Sequence, residues 1–436
     1  MNVARKLLVT GLLSLTVGMA VTQAGTSART QLLSGADLYT VSHGVITGGE
    51  LLIQDGRIAA LGQRVQAPAD AQRIDVSGKR IYPGLISANS ILGLAVVGPL
   101  ETSVPGASHY FQELGVNNAN LRGSAGVDPD TMAWPVARAN GVLTALIVPG
   151  AGRDALFTGR STLMRASGWT QQQMTIEPLV ALHLHWPDSE QNHQLLHQIM
   201  SEARGYALEK ANKRILVPDL RLEAMLPALS GEMLLMIHIN GARQIREALA
   251  FAREQSLKIV LVEKEGQADA WRLAEQIAAQ NVPVMLGKAL LGPSRRSEAF
   301  DVRYTAAAKL AAAGVKVIIA NNGDFRIMVG GVTAERNLPY EAAVYAAFGL
   351  GAEAALRAIT LTPAEVLGVA DRLGSLDAGK AATLFVASGD VLEASSRVER
   401  IWIDGLQIDP MSNPQAQFRE QYLRKYRGLP KDVREE

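Results

Sequence analysis

With no cysteine in 436 residues, any chemistry here must come from imidazoles, carboxylates, hydroxyls and arginines. Disulfides, thiolate metal sites and a thiol nucleophile are excluded at once. His183 and His185 stand as a His-x-His pair in "ALHLHWP". Alternate residues share one face of a strand, so both imidazoles could point at one metal ion. The plainer alternative is two rim histidines beside Trp186-Pro187. His238 closes the apolar run "LLMIHING", and a single imidazole does not hold zinc. His193 and His197, at i and i+4 in "NHQLLHQ", share a helix face but have no evident third ligand. Glu263 and Glu265 flank Lys264, either as paired carboxylates for acid–base work or as solvated side chains. No Gly-x-Ser-x-Gly elbow is present, and "GRSTL" (159–163) is a weak substitute.

These residues need a scaffold, and the apolar runs outline one. "GVLTALIVPG", "EPLVALHLHWP", "EMLLMIHING", "SLKIVLVEKEG", "NVPVMLGK" and "GVKVIIANNGD" read as buried strands. Alanine-rich amphipathic patterns such as "ARQIREALAFAREQ" and "TAAAKLAAA" fall between the later ones. "PGLISANSI" and a weak strand near "RILVPDL" bring the series to about eight strand–helix units, a (β/α)8 TIM-like barrel over 83–370. The competing α/β architecture is a doubly wound open sheet, but no Gly-x-Gly-x-x-Gly follows any strand. Arg295, Arg296, Arg326 and Arg336 follow the last two strands. In a barrel those loops lie at the ligand-binding face, where Arg326 and Arg336 are candidates for binding a carboxylate or phosphate. Thr362, Pro363 and Glu365 in "TLTPAEVLG" spell a capping box. Short alternating strands with Gly48-Gly49 and Asp55-Gly56 turns fill 29–82, and a similar texture returns over 371–410. The two ends are expected to pair as a small β-sandwich domain, with 411–436 as a charged helix or tail.

Composition narrows the function classes. Lysine plus arginine number 43 against 42 aspartate plus glutamate, so nothing favours nucleic acid or a polyanionic partner. "MNVARK" followed by "LLVTGLLSLTVGMAV" reads as a signal peptide over 1–28, cleaved after Ala24 or Ala28. The apolar run is shorter than the roughly 20 residues of a spanning helix. The mature protein is therefore expected to be exported, periplasmic or secreted, and free of the membrane after cleavage.

Several stretches together resemble a known family. "LLIQDGRIAALG", "GKRIYPGLI", "GSLDAGKAATLFV", "PDTMAWPVARANGVLTALIVPGAG", "TGRSTLMRASGWT" and "LTPAEVLGVADRLGSL" resemble the amidohydrolase superfamily, within it the imidazolonepropionase-like group of exported proteins. The resemblance covers nearly the whole mature chain. It implies a metal-dependent hydrolase of C–N bonds other than peptide bonds. It also implies ligands at the C-terminal strand ends: His-x-His on strand one, a carboxylate or modified lysine on strand four, histidines on strands five and six, and an aspartate on strand eight. Against that pattern Ser87, Asn89 and Ile91 stand for Asp, His and His, and Asn322 stands for the last aspartate. His238 matches strand five, and strand six has no histidine. Asp219 and Glu223 are the candidates for strand four. Isoleucine cannot ligate a metal, and an amide is a poor zinc ligand and no general base. Zinc or another divalent metal is expected only if His238, His183 and His185 rebuild the site, with Asp324 as the candidate base. Two functions follow: a C–N hydrolase with its binuclear site largely lost, or a non-catalytic pseudoenzyme. The second would bind a small molecule or partner an active paralogue, as a subunit of a homo-oligomer or mixed assembly.

Overall fold

The computed structural model describes residues 30–94, 115–150, 155–215, 217–264, 268–320, 332–410 and 414–427. One group of strands joins the two ends of the chain. Gln31–Tyr39, Val45–Gln54, Arg57–Gly62, Gln72–Asp75 and Arg80–Pro83 share an eight-stranded sheet with Leu384–Ala387, Val398–Ile403 and Leu406–Ile408. The seam is antiparallel, with Leu384 opposite Pro83 and Val386 opposite Ile81. Asp55 and Gly56 have φ of 50° and 78°, the left-handed pair a two-residue hairpin requires. Gly48-Gly49 does not turn the chain. Both lie inside Val45–Gln54, and that hairpin closes earlier, where Thr40 N–H donates to Gly44 C=O. Leu33, Ile53, Ile81, Leu384 and Trp402 form the sheet's core. The Trp402 indole N–H donates to Gln31 at 2.8 Å, so burying it leaves no orphan donor.

The second group alternates strand and helix, an α/β arrangement. Leu85–Ser90 and Val142–Ile147 run parallel. Ala181–His185, Leu234–Ile239, Ile259–Glu263, Val284–Leu286 and Val317–Ile319 form a second parallel block. The segment between the blocks runs the other way. Thr162–Arg165 is antiparallel to Val142–Ile147, and Phe157–Arg160 is antiparallel to Ala181–His185. The expected weak strand near "RILVPDL" is absent from its described residues. Asp219 instead accepts the Arg221 and Leu222 amides and caps the helix Leu220–Leu229.

Strand alternation separates two cores. Ile86, Ala88, Ala181, Met236, Val260, Val262, Met285 and Ile318 meet in one apolar cluster. Their neighbours Leu182, Leu184, Leu235, Ile237, Leu261 and Ile319 face a larger one, filled from the helices. Gly241–Glu254 shows the logic: Ile245, Ala248, Leu249 and Ala252 recur at helical spacing and are all buried. Near the C-terminal end the predicted cap shifts. The helix is Leu361–Val366, so Thr360 precedes it and Thr362 lies within. Glu365 turns to Arg357 and Lys316 rather than back to a cap.

Candidate functional site

Ala181 and Met236 point into the inner cluster, so His183, His185 and His238 share that face by alternation. Register then brings the imidazoles together, because His185 pairs with His238 across the two parallel strands. His183 Nδ1 lies 2.9 Å from His238 Nε2. The His185 and His238 rings stack 4.3 Å apart, 2° from parallel. His183 is fully buried and His238 nearly so. Burial pushes His183 down to about 3. It also holds His238 well below the ordinary imidazole range, helped by the neighbouring His185, His183 and Lys264. Both rings are neutral at neutral pH, so one nitrogen of the 2.9 Å pair donates and the other accepts. His183 Nε2 has no hydrogen-bond partner. A buried bare acceptor is cheaper than a buried bare N–H. The lower-energy tautomer therefore has His183 Nδ1–H donating to His238.

The end of the first parallel strand carries a different arrangement. Ser87 Oγ donates to Glu335 Oε2 at 2.5 Å. Glu335 comes from the turn Thr333–Asn337, 248 residues away, and is fully buried. Burial raises its carboxyl to about 7 against the opposing Ser87 and Ser90 hydrogen bonds and the Lys288 charge. Oε1 has no partner. Nothing local in sequence marks Glu335; only the fold pairs it with strand one. Asn89 is buried beside Ser90, and Ile91 belongs to the large apolar core with Leu92 and Trp134.

Other candidates are engaged elsewhere. Glu263 sits on the outward alternation and accepts the Ala270 amide at 2.9 Å. Burial raises it to about 7, offset by that amide and by Arg303. Glu265, its expected partner, lies outside the described residues, as do Asn322, Asp324, Arg326 and the 1–28 segment. Asp219 is the helix cap described above. Glu223 accepts from Tyr206 at 2.9 Å and pairs with Lys210, so neither carboxylate reaches the strand ends. His193 meets the edge of Trp186 and His197 the edge of Phe251. Arg295 binds Asp269 and Glu298. Arg336 lines a cleft against the C-terminal helix. Ser161 is fully buried and donates to the Ala181 carbonyl, a structural serine.

Residues 230–413 match the model of the amidohydrolase family. Together with the relatives that follow, this match supports the amidohydrolase superfamily. It is 25% identical over 383 residues to an imidazolonepropionase of Acidiphilium cryptum (strain JF-5), covering 80% of this chain and 89% of that one. It is 23% identical over 403 residues to the amidohydrolase tasK of Hapsidospora irregularis. There the match takes in 82% of this chain but spans only 39% of the relative's length. The crystal structure of an amidohydrolase from Thermotoga maritima MSB8 superposes with a TM-score of 0.76 at 22% identity, over 86% of this chain and 99% of that one. That likeness carries the fold, which is of TIM-barrel type.

The superfamily's metal can now be tested against the donors present. Among the described residues no three His, Asp or Glu side chains are grouped to hold a metal ion. The reason is geometric. His183 Nδ1–H and the His238 Nε2 lone pair are spent on each other, which leaves that couple the bare His183 Nε2, and a single imidazole nitrogen does not hold zinc. The His185 ring is parallel to His238, so their in-plane lone pairs lie in separate planes and do not converge. Asn89 and Ile91 add no imidazole. As arranged, these described residues do not fit the metal.

Proposed function

We propose that this chain is an amidohydrolase scaffold whose binuclear metal centre is largely lost, acting as an exported ligand-binding or partner subunit. One observation carries the reading: His238, at the family's strand-five ligand position, is hydrogen-bonded to His183 and stacked on His185. A ligand at these strand ends meets neutral imidazoles, which select a polar, uncharged or weakly acidic small molecule. The scaffold in this proposal is a closed (β/α)8 barrel beside a β-sandwich, released by cleavage after Ala24 or Ala28. Its partner is a second copy or an active paralogue.

Metal content decides between this and catalysis. Protein purified without chelator is expected to hold less than about a tenth of a Zn, Mn, Fe or Ni per chain by mass spectrometry. One tightly held metal per chain, lost on His238→Ala, would refute it. The relatives' names, an amidohydrolase and an imidazolonepropionase, favour a second reading, a hydrolase; in this chain it would act on C–N bonds with Asp324 as base. Turnover of an acyl-amino acid, dipeptide or cyclic amide that is lost in Asp324→Asn would establish that reading instead.

A further inference from the structure

A cleft of about 700 Å³ opens between the helix Pro414–Arg427 and the body of the chain. None of the clustered histidines lines it. Four guanidinium groups do: Arg336 from the turn Thr333–Asn337, Arg397 just before the strand Val398–Ile403, and Arg419 and Arg427 from the helix. They come from three separate parts of the sequence. The carboxylate on the lining, Glu420, pairs with Arg424 of its own helix at 3.4 Å. Among the described residues no carboxylate pairs with Arg397 or Arg419.

The chain as a whole is balanced, 43 basic against 42 acidic residues, so the charge that Arg397 and Arg419 bring to this cleft is a local feature. Like charges around a concave surface repel one another and raise the local potential. An anion relieves that repulsion. The planar guanidinium fork matches carboxylate and phosphate oxygens two at a time. The backbone of Arg336 is fixed at the cleft, since the Asn140 amide donates to its carbonyl at 2.8 Å and contacts Tyr340 OH at 3.1 Å. Val136, Val398 and Leu423 supply apolar wall. The volume lies in the range of small-molecule clefts, roughly 300–1,000 Å³.

We propose that this cleft binds a small soluble organic anion carrying two or more phosphate or carboxylate groups on a partly apolar body. The proposal is independent of metal content and of the histidine cluster. Isothermal titration of the full mature chain with pyrophosphate and with citrate tests it. Saturable binding of either anion is expected, one per chain, weakened by added salt. The double variant Arg397→Ala/Arg419→Ala is expected to lose at least about tenfold in affinity at an unchanged melting temperature. Arg253→Ala, on an exposed face elsewhere, is expected to bind as the wild type does. No saturable binding of either anion overturns the proposal, as does equal loss in the Arg253 control. Binding to phosphatidylglycerol vesicles without binding of the soluble anions also overturns it.

Discussion

Glu335→Gln is expected to gain stability relative to the wild type as pH rises from 5 to 8. Burial lifts the Glu335 carboxyl to about 7 from an ordinary 4.5. The folded chain therefore keeps a proton that the unfolded chain releases. Stability from this group is complete below pH 4.5 and falls as pH rises through about 7. The gap between 4.5 and about 7, at about 1.4 kcal/mol per pH unit, amounts to about 3 kcal/mol. Somewhat under 1 kcal/mol of that is already gone at pH 5, so roughly 2.5 kcal/mol remains to be lost by pH 8.

Glutamine keeps the shape and cannot ionise. Its amide oxygen can still accept from Ser87, but its N–H₂ replaces Oε1, which has no partner. That orphan carries a penalty of about 1–3 kcal/mol at every pH, so the absolute stability of the variant is uninformative. The pH-dependent difference is informative. Glu263, also raised to about 7, is present in both proteins and cancels. Urea unfolding followed by tryptophan fluorescence at pH 5, 6, 7 and 8 gives that difference directly. A difference flat to within about 0.5 kcal/mol, or one that falls with pH, would mean the carboxyl is hydrated or paired in solution and the burial argument is wrong.

Two further outcomes are expected. The His183 imidazole is pushed down to about 3 from 6.5, so its contribution is present above pH 6.5 and is lost as pH falls towards 3; relative to His183→Leu, the wild type should lose up to about 5 kcal/mol over that range, and parallel acid curves would contradict the buried neutral pair. Trp402→Ala should cost about 3–5 kcal/mol and expose Gln31–Tyr39 to limited proteolysis, because it empties the core where the chain ends meet; a wild-type unfolding midpoint would show that the seam does not hold the fold.

Much of the fold was legible because it follows local periodicity. The near-continuous apolar runs became parallel strands, and Asp55-Gly56 became the hairpin. The antiparallel segment Phe157–Arg165 leaves little trace in "TGRSTLMR", since its short halves break at Ser161. Asp219 and Glu223 are candidate ligands only beside a strand, and the chain there forms the helix Leu220–Leu229 instead. The site divided in the same way. His183, His185 and His238 were visible as residue types, and parallel register brought them together. The Ser87–Glu335 contact was invisible, because its partners are 248 residues apart and neither is unusual alone. The neutrality of the histidines was hidden too, since it depends on burial rather than on sequence.

The stretch "PGLISANSI" can name a superfamily while lacking its imidazoles because its two halves do different work. Gly84 sits where the strand leaves the sheet of chain ends and enters the parallel set. Its N–H donates to the Thr383 carbonyl, and a Cβ there would meet Leu143 Cβ at 2.9 Å and Thr383 Cγ2 at 3.0 Å. Leu85 fills the outer core, and Ile86 and Ala88 fill the inner one. These residues hold the strand wherever it lies, with or without a metal. Ile91 even adds to the apolar core, where a histidine would have to be hydrogen-bonded or ligated. On the proposed reading, metal centre and scaffold are separable: asparagine and isoleucine at those positions withhold ligands without removing packing, so the fold does not depend on hydrolysis.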